Sequence, residues 1–484
     1  MGQKSEYNIP YLLGITLVSA LGGLLFGYDL LVISGAKEFY QLYYGVDDPL
    51  MQGWAVSSCI VGCILGAFLV GKPAEQLGRA KLLTWSGLLF LISAIGSGFA
   101  PNFTQFIVFR LLGGIGMGMA STLSPLYIAE VAPAALRGRF VSLNQLTIVL
   151  GILLAQLVNY LILQSHAIPP GASDTELLAS WNGQVGWRLM FAAEGIPALL
   201  FVVTTVFIPK SPRWLVKKGR IHEAFRVLNK VGGHRYAKQA VKDIKKALGH
   251  EPDRHHWPDL LKPGHKKVLI MACIIAIFQQ WCGINVIFNY ASDIFKDAGY
   301  EVSGVLFNLV IIGLTNLAFT LVGMRLIDSV GRRPLLKNGA FALAGCHALM
   351  GYCYFTELTG IYVFFIALLA VAAFAATLGP VAWVMISELF PGRIRAMGMS
   401  IAVLCLWVAN FILSFTFPVL KESMGPSHTF WVYGVICLAG ALFAGSVPET
   451  KGQTLEEIQG HFVGQGSSNK LSPSSKATVA TDSI

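Results

Sequence analysis

Three ionisable residues stand inside long apolar runs of this chain: Asp29, Arg110 and Glu194. A charge in a hydrocarbon medium is costly unless it is paired or lines a wet cavity, so such residues mark function by default. Burial disfavours the charged form of a carboxyl and a nearby cation restores it, so an aspartate that can change partners can take up and release a proton. Arg110 is the natural partner for Asp29; Glu194 either joins the same relay or ties helix ends together. A second set of charges occurs twice. GKPAEQLGRAK at 71–81 is echoed by GMRLIDSVGRR at 323–333, and EVAPAALR at 130–137 by ELFPGRIR at 388–395, offsets of 252 and 258 residues. Glu75, Arg79, Glu130 and Arg137 in the first copy, and Asp328, Arg332, Arg333, Glu388 and Arg395 in the second, would form charge pairs at helix ends that close in one state and part in another. Duplicated halves with a substrate path between them are a common plan of transporters.

The elements that must hold these residues are membrane helices. The 484-residue chain is 54% hydrophobic, contains 51 Gly and is only 13% charged, where soluble domains carry about 25% charge. That excludes an ordinary soluble enzyme, a disordered chain and a nucleic-acid binder. Apolar runs long enough to cross a ~30 Å hydrocarbon core lie near 11–34, 54–74, 82–100, 105–128, 140–163 and 188–208, then near 267–295, 304–327, 335–355, 361–386, 397–418 and 429–447. Gly379 and Pro380 predict a broken helix. The first run has no small-residue cleavage pattern before Asp29 and is expected to be a retained span.

The halves are joined by a polar stretch, 210–267, holding 16 Lys/Arg and 5 Asp/Glu, so the +10 of the whole chain resides there. Its apolar positions Ala224, Val227, Leu228 and Val231, then Ala240, Val241 and Ile244, have helical spacing. Lys and Arg near span ends mark the cytoplasmic side, so this connector and, with even numbers of spans, both termini are expected there. Lys72, Arg79, Lys81, Arg137, Arg139, Arg332, Arg333, Lys337, Arg393 and Arg395 fall on the same side; the opposite loops offer little beyond Lys37, Lys296 and Lys421. The connector charge then reports topology and at most contact with anionic lipid. The resulting division is a first bundle at 1–208, the connector at 209–266, a second bundle at 267–448 and a tail at 449–484, disordered after about 464. The eight Cys lie in apolar runs without ligand spacing and read as packing residues, with no metal site.

The motifs GGLLFGYD at 22–29, RLLGGIGMG at 110–118, YIAEVAP at 127–133, PKSPRWL at 209–215, QQWCGIN at 279–285, GPVAW at 379–383 and VPETKG at 447–452 resemble the sugar porter family of the major facilitator superfamily, closest to its bacterial proton-coupled xylose and monosaccharide symporters. The resemblance implies an all-α membrane protein of 12 transmembrane helices in two six-helix bundles, with an intracellular helical segment between them and a sugar site at mid-membrane. It assigns Asp29 and Arg110 to proton coupling, the proton being the coupling ion and no cofactor being needed. Hydroxyls need donors and acceptors, and the C–H faces of a pyranose favour aromatic rings. By family position the sugar residues are Gln145, Gln279, Gln280, Asn285, Asn316, Trp383 and Trp407, with Phe26 nearby and Gly379 allowing close backbone approach.

Several positions depart from the family pattern. Leu406 stands where xylose carriers have Gln, and Asn289 follows Phe288 where Tyr is usual; both bear on the sugar preferred, and Asn289 restores an amide. Lys210 replaces the usual Glu, and Glu75, Gln76 and Ala80 alter the first charge motif. The expectation is a monomeric, proton-coupled monosaccharide symporter of the cell membrane, working by alternating access, not an enzyme, with the bilayer and a monosaccharide as partners and no nucleic acid. A facilitative uniporter of the same fold is the alternative, and a non-transporting sugar receptor a more distant one.

Overall fold

The helices begin where the sequence supplies caps. In a computed structural model describing residues 7–133, 135–166, 168–169, 171–249, 260, 262–358, 360–390 and 394–451, Asn8 accepts from the Tyr11 amide at 3.1 Å and opens α1 (Ile9–Tyr44). Asp48 accepts from Leu50 and opens α2 (Pro49–Leu69), and Asn102 accepts from Gln105 and opens α5 (Phe103–Val131). A side-chain acceptor satisfies an otherwise unpaired first-turn N–H. Between them lie α3 (Gly71–Leu77) and α4 (Arg79–Phe99); α6 (Arg137–Ser165) and the short α7 (Asp174–Ala179) follow. The second span therefore begins and ends about five residues before the apolar run at 54–74, because the cap at Asp48 sets its start.

The sixth span is a composite of a π-helical turn (Asn182–Gly186), α8 (Trp187–Ala192) and α9 (Gly195–Thr205). Pro197 has no N–H for the Ala193 carbonyl four residues back, which accounts for the interruption that carries Glu194. The connector forms α10 (Pro212–Lys217), capped by Ser211, and α11 (Ile221–Gly249), kinked at Gly232 and Gly233. Its two apolar stretches pack as the spacing predicts, with Ala224 against Trp214 and Leu215, and Leu228 against Ala237 and Val241.

The second half opens with a span in three pieces: α12 (Pro263–Trp281), α13 (Ile284–Asn289) and α14 (Ala291–Asp297). Next come α15 (Val302–Val330), α16 (Arg332–Phe355), α17 (Ile361–Ala376) and α18 (Leu378–Leu389), the last two separated at Thr377 rather than at Gly379 itself. Pro380 withholds its bond from the Ala376 carbonyl, so the break falls one turn before the proline. The final element, α19 (Arg395–Ala444), folds back at Gly425 (φ 77°) into two spans. Among the described residues ten stretches are long and apolar enough to cross a membrane; counting the fold-back in α19 and adding α16 gives twelve.

Within the first half α1 packs on α6, and α2 and α4 on α5; within the second, α16 and α12 pack on α19 and α15 on α17. The halves meet where α2 touches α19 and α6 touches α15. Small residues allow close packing between spans: a methyl on Gly114 would come within 2.9 Å of Gly62 Cα. Large apolar side chains such as Phe68, Ile196, Phe207 and Leu442 point outward, as suits a lipid-facing surface. The Asn8 amide bonds to the Val231 carbonyl, so the chain start and the connector share one face, called here the connector face.

Candidate transport site

Asp29 and Arg110 meet inside the first half. Arg110 Nη1 donates to Asp29 Oδ1, and Nη2 to the Asp29 carbonyl at 3.3 Å. Cys59 Sγ donates to Asp29 Oδ2 at 3.6 Å, and the guanidinium lies 5.6 Å from the Phe191 ring centroid. Both residues are 1% exposed, so Asp29 is no solvated helix-end charge. Gly113 makes room for it, since a methyl there would reach within 2.9 Å of Asp29 Oδ2. Glu194 is also 1% exposed, lies within electrostatic reach of Asp29 and Arg110, and has its Oε1 without a partner. One guanidinium thus faces two carboxyls in a buried space.

The amides of the seventh span form a hydrogen-bonded row in the second half. The span breaks at Cys282 and Gly283 (φ 81°), a conformation that favours glycine. Gln280 Nε2 donates to Gln279 Oε1 at 2.5 Å, and Asn285 Nδ2 donates to Gln280 Oε1 and to Asn410 Oδ1, the latter at 3.3 Å. Ser414 donates to Asn410 Oδ1 and accepts from Asn289 Nδ2 at 3.4 Å. Asn289 therefore ties α13 to α19. Pro418 leaves the Ser414 carbonyl free of its helical partner, and Tyr290 donates its hydroxyl there at 2.5 Å.

The aromatic candidates divide. Phe26 and Trp407, one from each half, meet edge to face at 5.8 Å between centroids, with Trp407 only 5% exposed and so not lipid-facing. Trp383 is 38% exposed on α18. Gln145 is half-buried on α6, and Asn316 buried on α15; among the described residues neither joins the amide row. Gly379 follows the α17–α18 break, where an added methyl would press on Phe374. Asn410 and Ser414 were not singled out from sequence, because a lone Asn and Ser in an apolar run carry no local signature.

The repeated charge motifs give matching clusters on the connector face. In the first half Arg79 pairs with Glu130 at 2.9 Å, and Glu130 also accepts from the Ser211 hydroxyl at 2.5 Å. In the second Arg332 pairs with Glu388 at 3.1 Å, and Glu388 accepts from the Thr450 hydroxyl at 2.5 Å. Arg333 Nη2 donates to the Gly445 carbonyl, while Glu75 pairs with Lys217 at 3.2 Å on the surface. Arg137 opens α6 within electrostatic reach of Tyr236. The side chains of Asp328 and Arg395, and the tail expected to be disordered after 464, lie outside the described residues.

The opposite face corrects one expectation. Lys37, Lys296 and Lys421, read as sparse loop cations, pair with Asp293 at 2.5 Å, Glu38 at 2.6 Å and Asp297 at 2.6 Å. Lys37 lies within α1 and is buried. The first two pairs join the halves, beside a cavity of about 250 Å³ lined in part by Lys37, Gln52, Tyr290, Asp293 and Lys421. All eight cysteines are free and six are buried; among the described residues no cluster has metal-ligand character.

Twelve spans in two halves among the described residues, charges buried inside the first half and duplicated clusters on one face define a multi-pass transporter of the major facilitator fold. The chain belongs to the sugar (and other) transporter family, whose model matches residues 15–462. It is similar to the D-xylose-proton symporter of Escherichia coli (strain K12), 40% identical over 94% of this chain and 96% of that protein. The arabinose-proton symporter of Bacillus subtilis (strain 168) is 36% identical, over 94% of this chain and 96% of its own length. A solved structure of the E. coli xylose transporter in a partially occluded inward open conformation superposes with a TM-score of 0.80 at 37% identity, covering 92% of this chain and 100% of that one.

Proposed function

We propose that the chain is a proton-coupled monosaccharide symporter that works by alternating access. The observation that carries the reading is the buried Asp29–Arg110 pair with Glu194 beside it. A proton placed on Asp29 removes the charge that holds Arg110, and Glu194 offers the freed guanidinium another acceptor. That exchange is a protonation event with a mechanical output, because Asp29 and Arg110 sit on different spans. The names of the relatives, symporters of xylose and arabinose with protons, support the same assignment.

The sugar is held mainly by the second half, through Gln279, Gln280 and Asn285, with Asn410 fixing the row. Gln145, Asn316, Trp383, Phe26 and Trp407 complete the site when the halves approach. The connector face is cytoplasmic, which puts the Lys37–Asp293 and Glu38–Lys296 pairs outside. The structure is then the state closed to the outside, in keeping with the likeness to an inward open relative. The protein acts as a monomer in the cell membrane, with the proton as its coupling ion.

The test is uptake into proteoliposomes under an imposed pH gradient. Asp29→Asn should abolish accumulation above equilibrium while sugar counterflow persists. Uptake indifferent to a protonophore, and unchanged by Asp29→Asn, would show a facilitative uniporter instead.

A further inference from the structure

The seventh span is interrupted in the middle of the amide row, and something must hold the two pieces at a fixed angle. The Val286 amide bonds to the Gly283 carbonyl, which leaves the Cys282 carbonyl without its usual helical donor. That carbonyl is met from α16 by His347 Nε2 at 2.7 Å and, more weakly, from α19 by Cys437 Sγ at 3.4 Å. A carbonyl only accepts, so Nε2 carries the hydrogen and Nδ1 is the bare nitrogen, which is buried without a partner. The ring fills the notch at the break: a methyl on Gly283 would reach within 2.8 Å of Nε2. Phe430 stacks on the ring at 5.9 Å and Tyr433 flanks it at 6.0 Å, both from α19. His347 itself is fully buried and no part of the amide row.

We propose that His347 is a positioning residue for sugar binding. By donating to the Cys282 carbonyl it sets the angle between α12, whose last turn carries Gln279 and Gln280, and α13, whose first turn carries Asn285. It tunes the spacing of the amides without touching sugar, and it stands apart from the Asp29–Arg110 pair. The inference rests on reading the amide row as the sugar site.

The experiment compares native protein with His347→Gln, which keeps an N–H near the Nε2 position, and His347→Phe, which keeps the ring and loses the donor. D-xylose and D-glucose serve as probes, with Kd from intrinsic tryptophan fluorescence and KM and maximal rate from pH-gradient-driven uptake, all on monodisperse protein. Loss of one buried hydrogen bond should raise Kd and KM about tenfold in His347→Phe, with the maximal rate within about twofold and His347→Gln near native. Nitrogen NMR of labelled histidine should show Nε2 protonated and Nδ1 bare in the native protein. Equal losses in both variants, native binding in His347→Phe or the reverse tautomer would overturn the proposal. An Asn285→Ala control separates the two readings. If it binds both sugars as the native protein does, the sugar-site reading fails and this inference with it; if it loses binding while His347→Phe is native, only the role of His347 fails.

Discussion

Lys37 on α1 and Asp293 on α14 form an ion pair between the two halves, Nζ to Oδ2 at 2.5 Å, with Lys37 2% exposed and its ammonium 4.3 Å from the centroid of the Tyr290 ring. Glu38 and Lys296 add a second pair one residue along α1 and three along α14. The signs alternate, so each half presents one cation and one anion to the other. Such pairs must part whenever this face opens.

Removing one partner of a fully buried pair costs about 3–5 kcal/mol, because the other charge is stranded; Asp293 is 23% exposed beside the cavity, so the cost here is smaller but of the same sign. Lys37→Ala should therefore destabilise the arrangement closed on this face. Spin labels at Leu50 and Glu422, exposed on different halves, should gain a longer-distance population in pulsed dipolar measurements. The reversed pair, Lys37→Asp with Asp293→Lys, should recover much of the short-distance population; an unchanged distribution in Lys37→Ala would remove the latch from the mechanism.

Asn410 fixes the amide row, since it takes hydrogen bonds from both Asn285 and Ser414. Asn410→Ala leaves Asn285 with one fewer acceptor and should weaken monosaccharide binding by roughly tenfold, the effect of one lost buried bond. Asn410→Asp, which keeps the acceptor, should lie closer to native in the same fluorescence titration. Equal affinity in native and alanine proteins would show that the row does not depend on α19.

The spans and the charge pair were legible because each has a local cause. A run of some twenty apolar residues declares a helix, and a lone Asp or Arg within such a run declares a partner. Pro380 announced a break, although the hydrogen bond it removes lies four residues earlier and moved the break to Thr377. What escaped were partners far apart in sequence. Asn410 lies 125 residues from Asn285, and Asp293 lies 256 from Lys37. Lys37 itself was read as a loop cation because it stands near the end of an apolar run, yet α1 continues through it to Tyr44. Ser211 and Thr450 were missed as the hydroxyl partners of Glu130 and Glu388, since single hydroxyls carry no pattern.

Glu449 offers a pH test on the connector face. Burial works to raise its carboxyl pKa, but backbone N–H groups of Lys451, Arg332, Arg333 and Thr450 outweigh burial and hold it below the usual range. Two of those bonds, from Arg332 and Arg333 at 3.0 Å each, cap the start of α16. A depressed carboxyl stabilises the fold above its unfolded pKa and stops doing so as pH falls through its folded value. Glu449→Gln should thus lower thermal stability near neutral pH by an amount typical of a lost cap, about 1 kcal/mol. The difference from native should shrink as the solution is acidified below the carboxylate range. A gap that stays constant with pH would mean that packing, not charge, sets the effect.

Glu194 decides whether the buried charges form a pair or a relay. With Arg110 held by Asp29, the Glu194 carboxyl has an oxygen without a partner in a fully buried position, an arrangement that is costly unless the group acts in another state. If Arg110 passes from Asp29 to Glu194 when Asp29 takes a proton, Glu194→Gln removes the second station and leaves the first intact. Sugar affinity measured by fluorescence should stay within about twofold, and exchange between equal sugar pools should persist, whereas accumulation driven by a pH gradient should fall. Coupling between two sites is commonly worth about 5–150-fold, so the fall should be at least about fivefold. Asp29→Asn alone distinguishes coupling from passive flux; the double variant distinguishes a relay from two independent groups. In a relay the second substitution adds nothing to the first, because the guanidinium has already lost the carboxylate it is meant to leave. Exchange between equal sugar pools that is slower in Asp29→Asn with Glu194→Gln than in Asp29→Asn alone would show that Glu194 acts on its own.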